Sequence, residues 1–270
     1  MFDLSNKLSI ITGGGGFLGR EHGLALSRYN SIIVLIDLDK NKLKNAKKYI
    51  LNKNSKAQVE IFNADITNEN EIIDIKNILL KNKLKINILV NNAAIDPKMD
   101  KLNKKENNLE EYSVNQLLSE INVGLIGSFI CTKTFGSEMA KYKNGSIINI
   151  ASDLAISGPD QRVYAKTEKI EDVKNFKPIG YPIVKSGLLG LNRYFATYWA
   201  HRGVRVNCLV PGAVKNLQGK TLIKNIKKRV PMNKLAKKND YHGAIVFLAS
   251  EASSYMTGQL LVIDGGRTIW

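Results

Sequence analysis

Cysteine is almost missing from this 270-residue chain: Cys131 and Cys208, each inside an apolar stretch, are the whole complement. A disulfide framework and a thiolate metal spacing are thereby excluded, and both residues read as small core side chains. Histidine is equally sparse, and His22, His201 and His242 stand too far apart for metal-ligand spacing, so no metal is expected. No unbroken apolar run approaches the ~18 residues of a membrane span. The opening "MFDLSNKLS" lacks the charged, apolar and small-residue zones of a signal peptide. The expectation is a cytoplasmic protein with no membrane partner. With six scattered prolines and no Pro/Ser-rich linker, repeat or low-complexity tract, residues 1–270 read as one domain.

Acidic charge is the other shortage. Against 40 Lys and Arg stand 24 Asp and Glu, a net charge of +16 and a pI near 9.7. Such a balance meets one criterion for a nucleic-acid binder. However, 32 of the 40 basic residues are lysines amid abundant Asn and Ile, the signature of an AT-rich coding sequence. They are scattered, and the clusters "NKLKNAKKY" and "IKNIKKR" fit solvated helix faces. No nucleic-acid partner is expected; drawing in an anionic small substrate is the simpler use of the field.

Alternation is what the chain has in abundance. Periodicity predicts strands at 8–12, 31–36, 58–63, 86–90, 145–150, 204–209 and 260–263. Between them it predicts helices at 17–29, 40–52, 69–82, 113–142, 182–201 and 240–249, with a polar connection over 91–111 and a variable segment at 213–235. Continuously apolar strands alternating with helices imply an α/β fold: a Rossmann-type, doubly wound parallel sheet with helices on both faces. Ligands of such sheets lie beyond the carboxyl ends of the strands.

The glycine run after the first strand falls at that place. "GGGFLG" at 14–19 fits G-x-G-x-x-G and opens a helix, and Asp37 ends the second strand 18 residues after Gly19. Alone, Asp37 reads equally well as a helix cap in "DLDKNK". With strand, glycines, helix, strand and acid in register, dinucleotide binding is the reading. A carboxylate there accepts both hydroxyls of an adenosine ribose and repels a 2′-phosphate, so the expected cofactor is NAD.

The chain now resembles the short-chain dehydrogenase/reductase family over nearly its full length. The likeness rests on "TGGGGFLG", "NAD" at 63–65, "NNAA" at 91–94, "INVGLIG", "NIAS" ending at Ser152, "YPIVK" at 181–185, "VNCLVPG" at 206–212 and "SSYMTGQLLVIDGG" at 253–266, in the family's order. The resemblance implies cofactor contacts at Gly13, Gly16, Phe17, Leu18, Gly19, Asp37, Asp65, Ile66, Asn92, Pro211, Gly212 and Val214, with Tyr181 and Lys185 shared between cofactor and catalysis. It implies a catalytic set of Asn122, Ser152, Tyr181 and Lys185, with Asn122 holding a water that links Lys185 to solvent. It also implies a homodimer or homotetramer paired through the helices at 113–142 and 182–201.

The chemistry of that set follows from the residues. A phenol with a pKa near ~10 is a poor base at neutral pH. Lys185 lies one helical turn beyond Tyr181, and its ammonium would stabilise the phenolate and lower that pKa. Ser152, ending the fifth strand, can donate to a substrate oxygen. Tyr164 is set aside, because position 168 is Glu.

Three departures bear on specificity. Phe17 gives the spacing T-G-x-x-G-x-x-G, like the family's sugar-nucleotide members, where relatives of this length carry glycine. Position 216 is Asn, in place of a Thr able to meet the cofactor diphosphate. An insert of 28 residues, 153–180, separates Ser152 from Tyr181, against about a dozen in simpler relatives. It reads either as a solvated excursion or as a wall of the substrate site, in which Asp160, Gln161 and Arg162 suit hydroxyls and a carboxylate or phosphate. The expected activity is NAD(H)-dependent interconversion of a secondary alcohol and a ketone on a polar, sugar-like, anionic substrate, in the manner of family members that build bacterial surface-carbohydrate sugars. A 3-oxoacyl or general carbonyl reductase is the enzyme alternative, and a non-catalytic NAD(H)-binding scaffold or sensor is the alternative of another class.

Overall fold

A computed structural model describes residues 1–96 and 109–270, so most of the predicted polar connection at 91–111 lies outside the described residues. Seven strands form one parallel sheet: β1 (Leu8–Thr12), β2 (Ile32–Asp37), β3 (Val59–Asn63), β4 (Ile86–Asn91), β5 (Gly145–Ile150), β6 (Val204–Pro211) and β7 (Leu260–Ile263). Their order is β3-β2-β1-β4-β5-β6-β7. The chain therefore reverses its winding beside β1, the switch point at which open α/β sheets leave a crevice.

Side chains alternate across each strand and serve two separate cores. Ile11, Ile33 and Leu35 face helices α1 (Gly19–Ser27), α2 (Lys40–Lys53) and α8 (His242–Ala249), through Leu24, Leu43, Ile50 and Ile245. Ile10, Val34 and Ile36 face α3 (Glu69–Lys81), the rod formed by α4 (Val114–Ile121) and α5 (Gly127–Lys141), and α6 (Gly180–Trp199), through Ile72, Phe135, Met139, Phe195 and Trp199. Burial on both faces is why the strands read as unbroken apolar runs.

Three predicted elements differ in ways that shape the site. The first helix begins at Gly19 rather than 17, because residues up to Leu18 belong to the loop. The helix predicted at 182–201 begins at Gly180, so Tyr181 and Lys185 both sit in its opening turns. The rod at 113–142 contains a π-turn, Asn122–Ile126, of the kind that accumulates at functional sites. This rod is also long and apolar enough by length and composition to cross a membrane, which the lack of an unbroken apolar run did not suggest; its inner face packs on the sheet. The variable segment supplies one further helix, α7 (Lys220–Lys227).

Candidate active site

The loop after β1 is shaped by what its glycines leave out. Gly13 adopts φ +61°, in the left-handed region, and a Cβ there would stand 2.9 Å from Ala93 Cα. A Cβ on Gly19 would come within 2.2 Å of the Gly13 carbonyl oxygen, so α1 can start only on a glycine. The Gly16 N–H closes a turn onto the Gly13 carbonyl at 3.0 Å, and Phe17 and Leu18 carry the chain into α1. The open helix N-terminus beyond offers N–H groups and a positive dipole end to a phosphate. A glycine cradle leading into a helix, with an acid at the end of β2, fits a dinucleotide.

The acid is engaged with the loop. Asp37 Oδ2 accepts the Gly15 N–H at 3.0 Å, and its Oδ1 accepts the Asp39 N–H at 3.0 Å. Asn92 donates its side-chain amide to the carbonyls of Thr12 and Gly13, at 3.0 and 3.2 Å, so it ties β4 to the loop. Asp65 caps its own turn, its Oδ1 accepting the Thr67 N–H at 2.9 Å and hydroxyl at 2.7 Å. Ile66 is buried against Gly127, where a Cβ would meet its Cδ1 at 2.6 Å. Pro211 ends β6, Gly212 packs on Asp264, and Val214 bridges to Ala236.

Ser152, Tyr181 and Leu18 line one cleft of about 640 Å³ with Val214 and residues from the insert, α7 and the last turn. Tyr181 is pushed above the ordinary phenol range, first by burial and then by the carboxylate of Asp96, with Ser152 working the other way. The predicted lowering by Lys185 is not what this structure shows. Lys185 Nζ donates to the Ile150 carbonyl at 2.7 Å and lies 5.6 Å from the Tyr181 ring centroid, one turn along as the spacing requires. Burial brings the Lys185 ammonium down to about 8. Asn122 opens the π-turn, is exposed, and accepts the Gly127 N–H at its carbonyl.

The insert does wall this cleft, through Asp153, Leu154, Pro159, Asp160, Val163, Tyr164 and Lys177. Two of its three predicted substrate residues require correction. Arg162 is not among the lining residues: its guanidinium forks onto Asp160 at 2.9 and 3.0 Å and is 58 % exposed. Gln161 is likewise turned to structure, its Oε1 accepting the Lys177 N–H at 2.8 Å. Asp160 does line the cleft, but as the partner of Arg162 and Arg229, which hold its carboxyl well below the usual range.

Among the described residues, three cations line the cleft, and the sequence did not single them out. Lys177 pairs with Asp96 at 2.6 Å and stands 4.1 Å from the Tyr181 ring centroid; Arg229 pairs with Asp160; Arg267 pairs with Asp153 at 2.8 Å. Tyr164, set aside on spacing, also faces the cleft. Helix α7 clamps the insert: Asn225, fully buried, donates to the carbonyls of Val163 and Ala165 at 3.1 and 2.8 Å, and Arg229 reaches Glu168 at 3.0 Å.

Residues 18–268 match the family model described as enoyl-(acyl carrier protein) reductase. The chain belongs to the short-chain dehydrogenase/reductase family. It is 28% identical to the 3-oxoacyl-(acyl-carrier-protein) reductase FabG of Thermotoga maritima, over 98% of this chain and 99% of that one. It is also 28% identical to the 2-dehydro-3-deoxy-D-gluconate 5-dehydrogenase of Bacillus subtilis, over 98% and 96%. The fold matches the crystal structure of a gluconate 5-dehydrogenase from Burkholderia cenocepacia in complex with NADP and tartrate, with a TM-score of 0.83, 23% identity, and coverage of 100% and 98%. As a member of this family the protein is an oxidoreductase that uses a nicotinamide cofactor.

Proposed function

We propose that this family member is an NAD(H)-dependent enzyme that interconverts a secondary alcohol and a ketone on a polar, sugar-like substrate. One observation carries the reading: Ser152 and Tyr181 open into the same cleft as Phe17 and Leu18 of the Gly13–Gly19 loop, which is hydrogen-bonded to Asp37. When bound, the nicotinamide supplies or accepts hydride at the substrate carbon. Tyr181 gives its phenolic proton to the carbonyl oxygen in reduction and takes it back in oxidation, and burial keeps that phenol protonated and ready to act as the acid. Ser152 orients the oxygen. Lys185 would hold the nicotinamide ribose and, with Asn122 at the π-turn, return the proton.

NAD(H) is favoured over NADP(H) because the Asp37 carboxylate would repel a 2′-phosphate. A sugar-like substrate is favoured by the wall, where the pairs Lys177–Asp96, Arg229–Asp160 and Arg267–Asp153 alternate donors with acceptors and suit hydroxyl groups. The Bacillus subtilis relative is, by its name, a dehydrogenase of a sugar acid. Insert length and glycine spacing support a setting in surface-glycan sugar biosynthesis. A second reading, a 3-oxoacyl reductase, is favoured by the apolar side of the cleft, Leu154, Val163, Leu217, Leu222 and Ile226, and by the Thermotoga relative. Exposed Leu118, Ile126, Phe129, Tyr194 and Tyr198 on the two long helices support homo-oligomer formation.

The test is turnover on D-gluconate and xylitol with NAD⁺, and on acetoacetyl-CoA with NADH. Activity on either polyhydroxyl compound with none on the thioester supports the sugar reading. Turnover of the thioester alone overturns it in favour of the second. NADH binding with no redox activity on any carbonyl or alcohol would point to a scaffold.

A further inference from the structure

Among the described residues, the three cations of the cleft wall are committed to different degrees. Arg229 divides its guanidinium among Asp160, Glu168 and the Asn225 carbonyl. Arg267 is held by Asp153 and by the Gly158 carbonyl. The Lys177 ammonium has three N–H donors and pairs, among the described residues, with Asp96 alone.

Lys177 is also the cation set closest to the chemistry. Its backbone N–H is tied to Gln161 Oε1 at 2.8 Å, which fixes the residue within the insert. Its side chain is 9% exposed, and its Nζ stands 4.1 Å from the Tyr181 ring centroid, nearer than Lys185 Nζ at 5.6 Å. The phenolic oxygen is one ring radius and one C–O bond from that centroid. One small substrate can therefore touch the phenolic oxygen and the Lys177 ammonium together. The present partner, Asp96, is 58% exposed and lines the same cleft, so the ion pair opens to it and shows that the ammonium takes a carboxylate there. A nearly buried ammonium gains from each further acceptor that reaches it, because little water does.

We propose that Lys177 is a specificity-determining residue that receives a carboxylate of the substrate, one bonded to the reacting carbon or separated from it by a single carbon. The substrate class is then a 2- or 3-hydroxy acid and its oxo form, within the sugar-like reading. The placement beside the reacting carbon rests on that reading's assignment of Tyr181 as the proton-transfer group.

Equilibrium binding tests this without turnover, by calorimetry on the full chain saturated with reduced nicotinamide cofactor. Two probe pairs differ in the charged group: DL-glycerate against glycerol, and DL-3-hydroxybutyrate against 1,3-butanediol. In the parent protein at least one acid should bind about tenfold or more tightly than its neutral partner, the size of a charge-assisted hydrogen bond. Lys177→Met should bring that preference within about twofold. Asp96→Asn, which keeps the lysine and removes a competing carboxylate, should tighten the acid several-fold and leave the neutral partner unchanged. Lys174→Met, an exposed change in the same insert, should preserve the preference and so separates Lys177 from the general positive field. No preference in the parent, a preference that survives Lys177→Met or is lost equally in Lys174→Met, or weaker acid binding in Asp96→Asn overturns the proposal. Oxidation of D-gluconate to a 5-oxo product, read by NMR, does the same, since the carboxylate would then lie far from the reacting carbon. The two readings fail separately: turnover of xylitol without acid preference removes the role of Lys177 alone, whereas a Lys177-dependent acid preference without turnover of any alcohol or carbonyl removes the redox reading.

Discussion

Gly15 donates its N–H to Asp37 Oδ2 at 3.0 Å, so the acid that ends β2 and the loop that follows β1 are one hydrogen-bonded unit. Asp37→Ala should therefore act twice, by removing the ribose acceptor and by loosening the loop. NADH should bind the parent protein far more tightly than NADPH. The substitution should weaken NADH by about tenfold or more, the worth of a hydrogen bond to a charged group, and leave NADPH unchanged or improved. Nucleotide fluorescence titrations read both, and equal affinities in the parent would show that Asp37 does not face the ribose.

Tyr181→Phe deletes only the phenolic oxygen. NADH affinity should stay within about twofold, while turnover on the responsive substrate falls by ~10²-fold or more, the usual scale of general acid–base catalysis. Lys185→Ala should harm both, because in the proposed function its buried ammonium serves ribose and proton return alike. A Tyr181→Phe protein with near-normal turnover would remove Tyr181 from its role.

Arg162 and Arg229 now make opposite predictions. The exposed Arg162 fork is spent on Asp160, so Arg162→Lys should leave KM for an anionic sugar within about twofold, as exposed ion pairs are weak. Arg229→Lys cannot reproduce a fork that spans Asp160 and Glu168. It should raise KM several-fold and speed limited proteolysis within 153–180. The reverse pattern in the two variants would return Arg162 to the substrate site.

His22 sets a pH dependence of stability. Its ring is buried in α1 with neither nitrogen paired among the described residues, and burial, assisted by His242, lowers it from 6.5 to about 3. The folded protein thus resists a proton that the unfolded chain accepts below about pH 6.5. Stability is unaffected by this group above that value and is lost progressively as pH falls toward 3. Between pH 7 and 5 the loss should be on the order of 2 kcal/mol. His22→Leu should flatten the change in urea midpoint over that interval; an unchanged slope would show that the ring is solvated.

Much of the site was legible because local geometry dictates it. The glycine loop, the acid at a strand end and the Tyr181–Lys185 spacing each follow from a few neighbouring residues and the periods of strand and helix. What stayed hidden depends on segments that meet only in the fold. Asp160 and Arg229 are 69 residues apart, and Asp153 and Arg267 are 114 apart. Nothing in either stretch signals the other, and the basic residue nearest Asp160 in sequence, Arg162, was the natural choice. Tyr164 carries no local signal for a similar reason, since the i, i+4 rule finds helical pairs and Tyr164 lies in a 3₁₀ turn, Gln161–Tyr164. The depressed phenol pKa inferred from Lys185 failed because burial outweighs a cation whose own hydrogen bond goes to Ile150.

The bonds from Asn225 to the carbonyls of Val163 and Ala165 make the insert and α7 a single heritable module. A chimera that borrows 153–180 from a relative while keeping this α7 would bury the Asn225 amide beside backbone shaped for another partner. Exchange of substrate range between family members by recombination therefore has to carry three separated stretches together: the insert, α7 with Arg229, and the turn that presents Arg267.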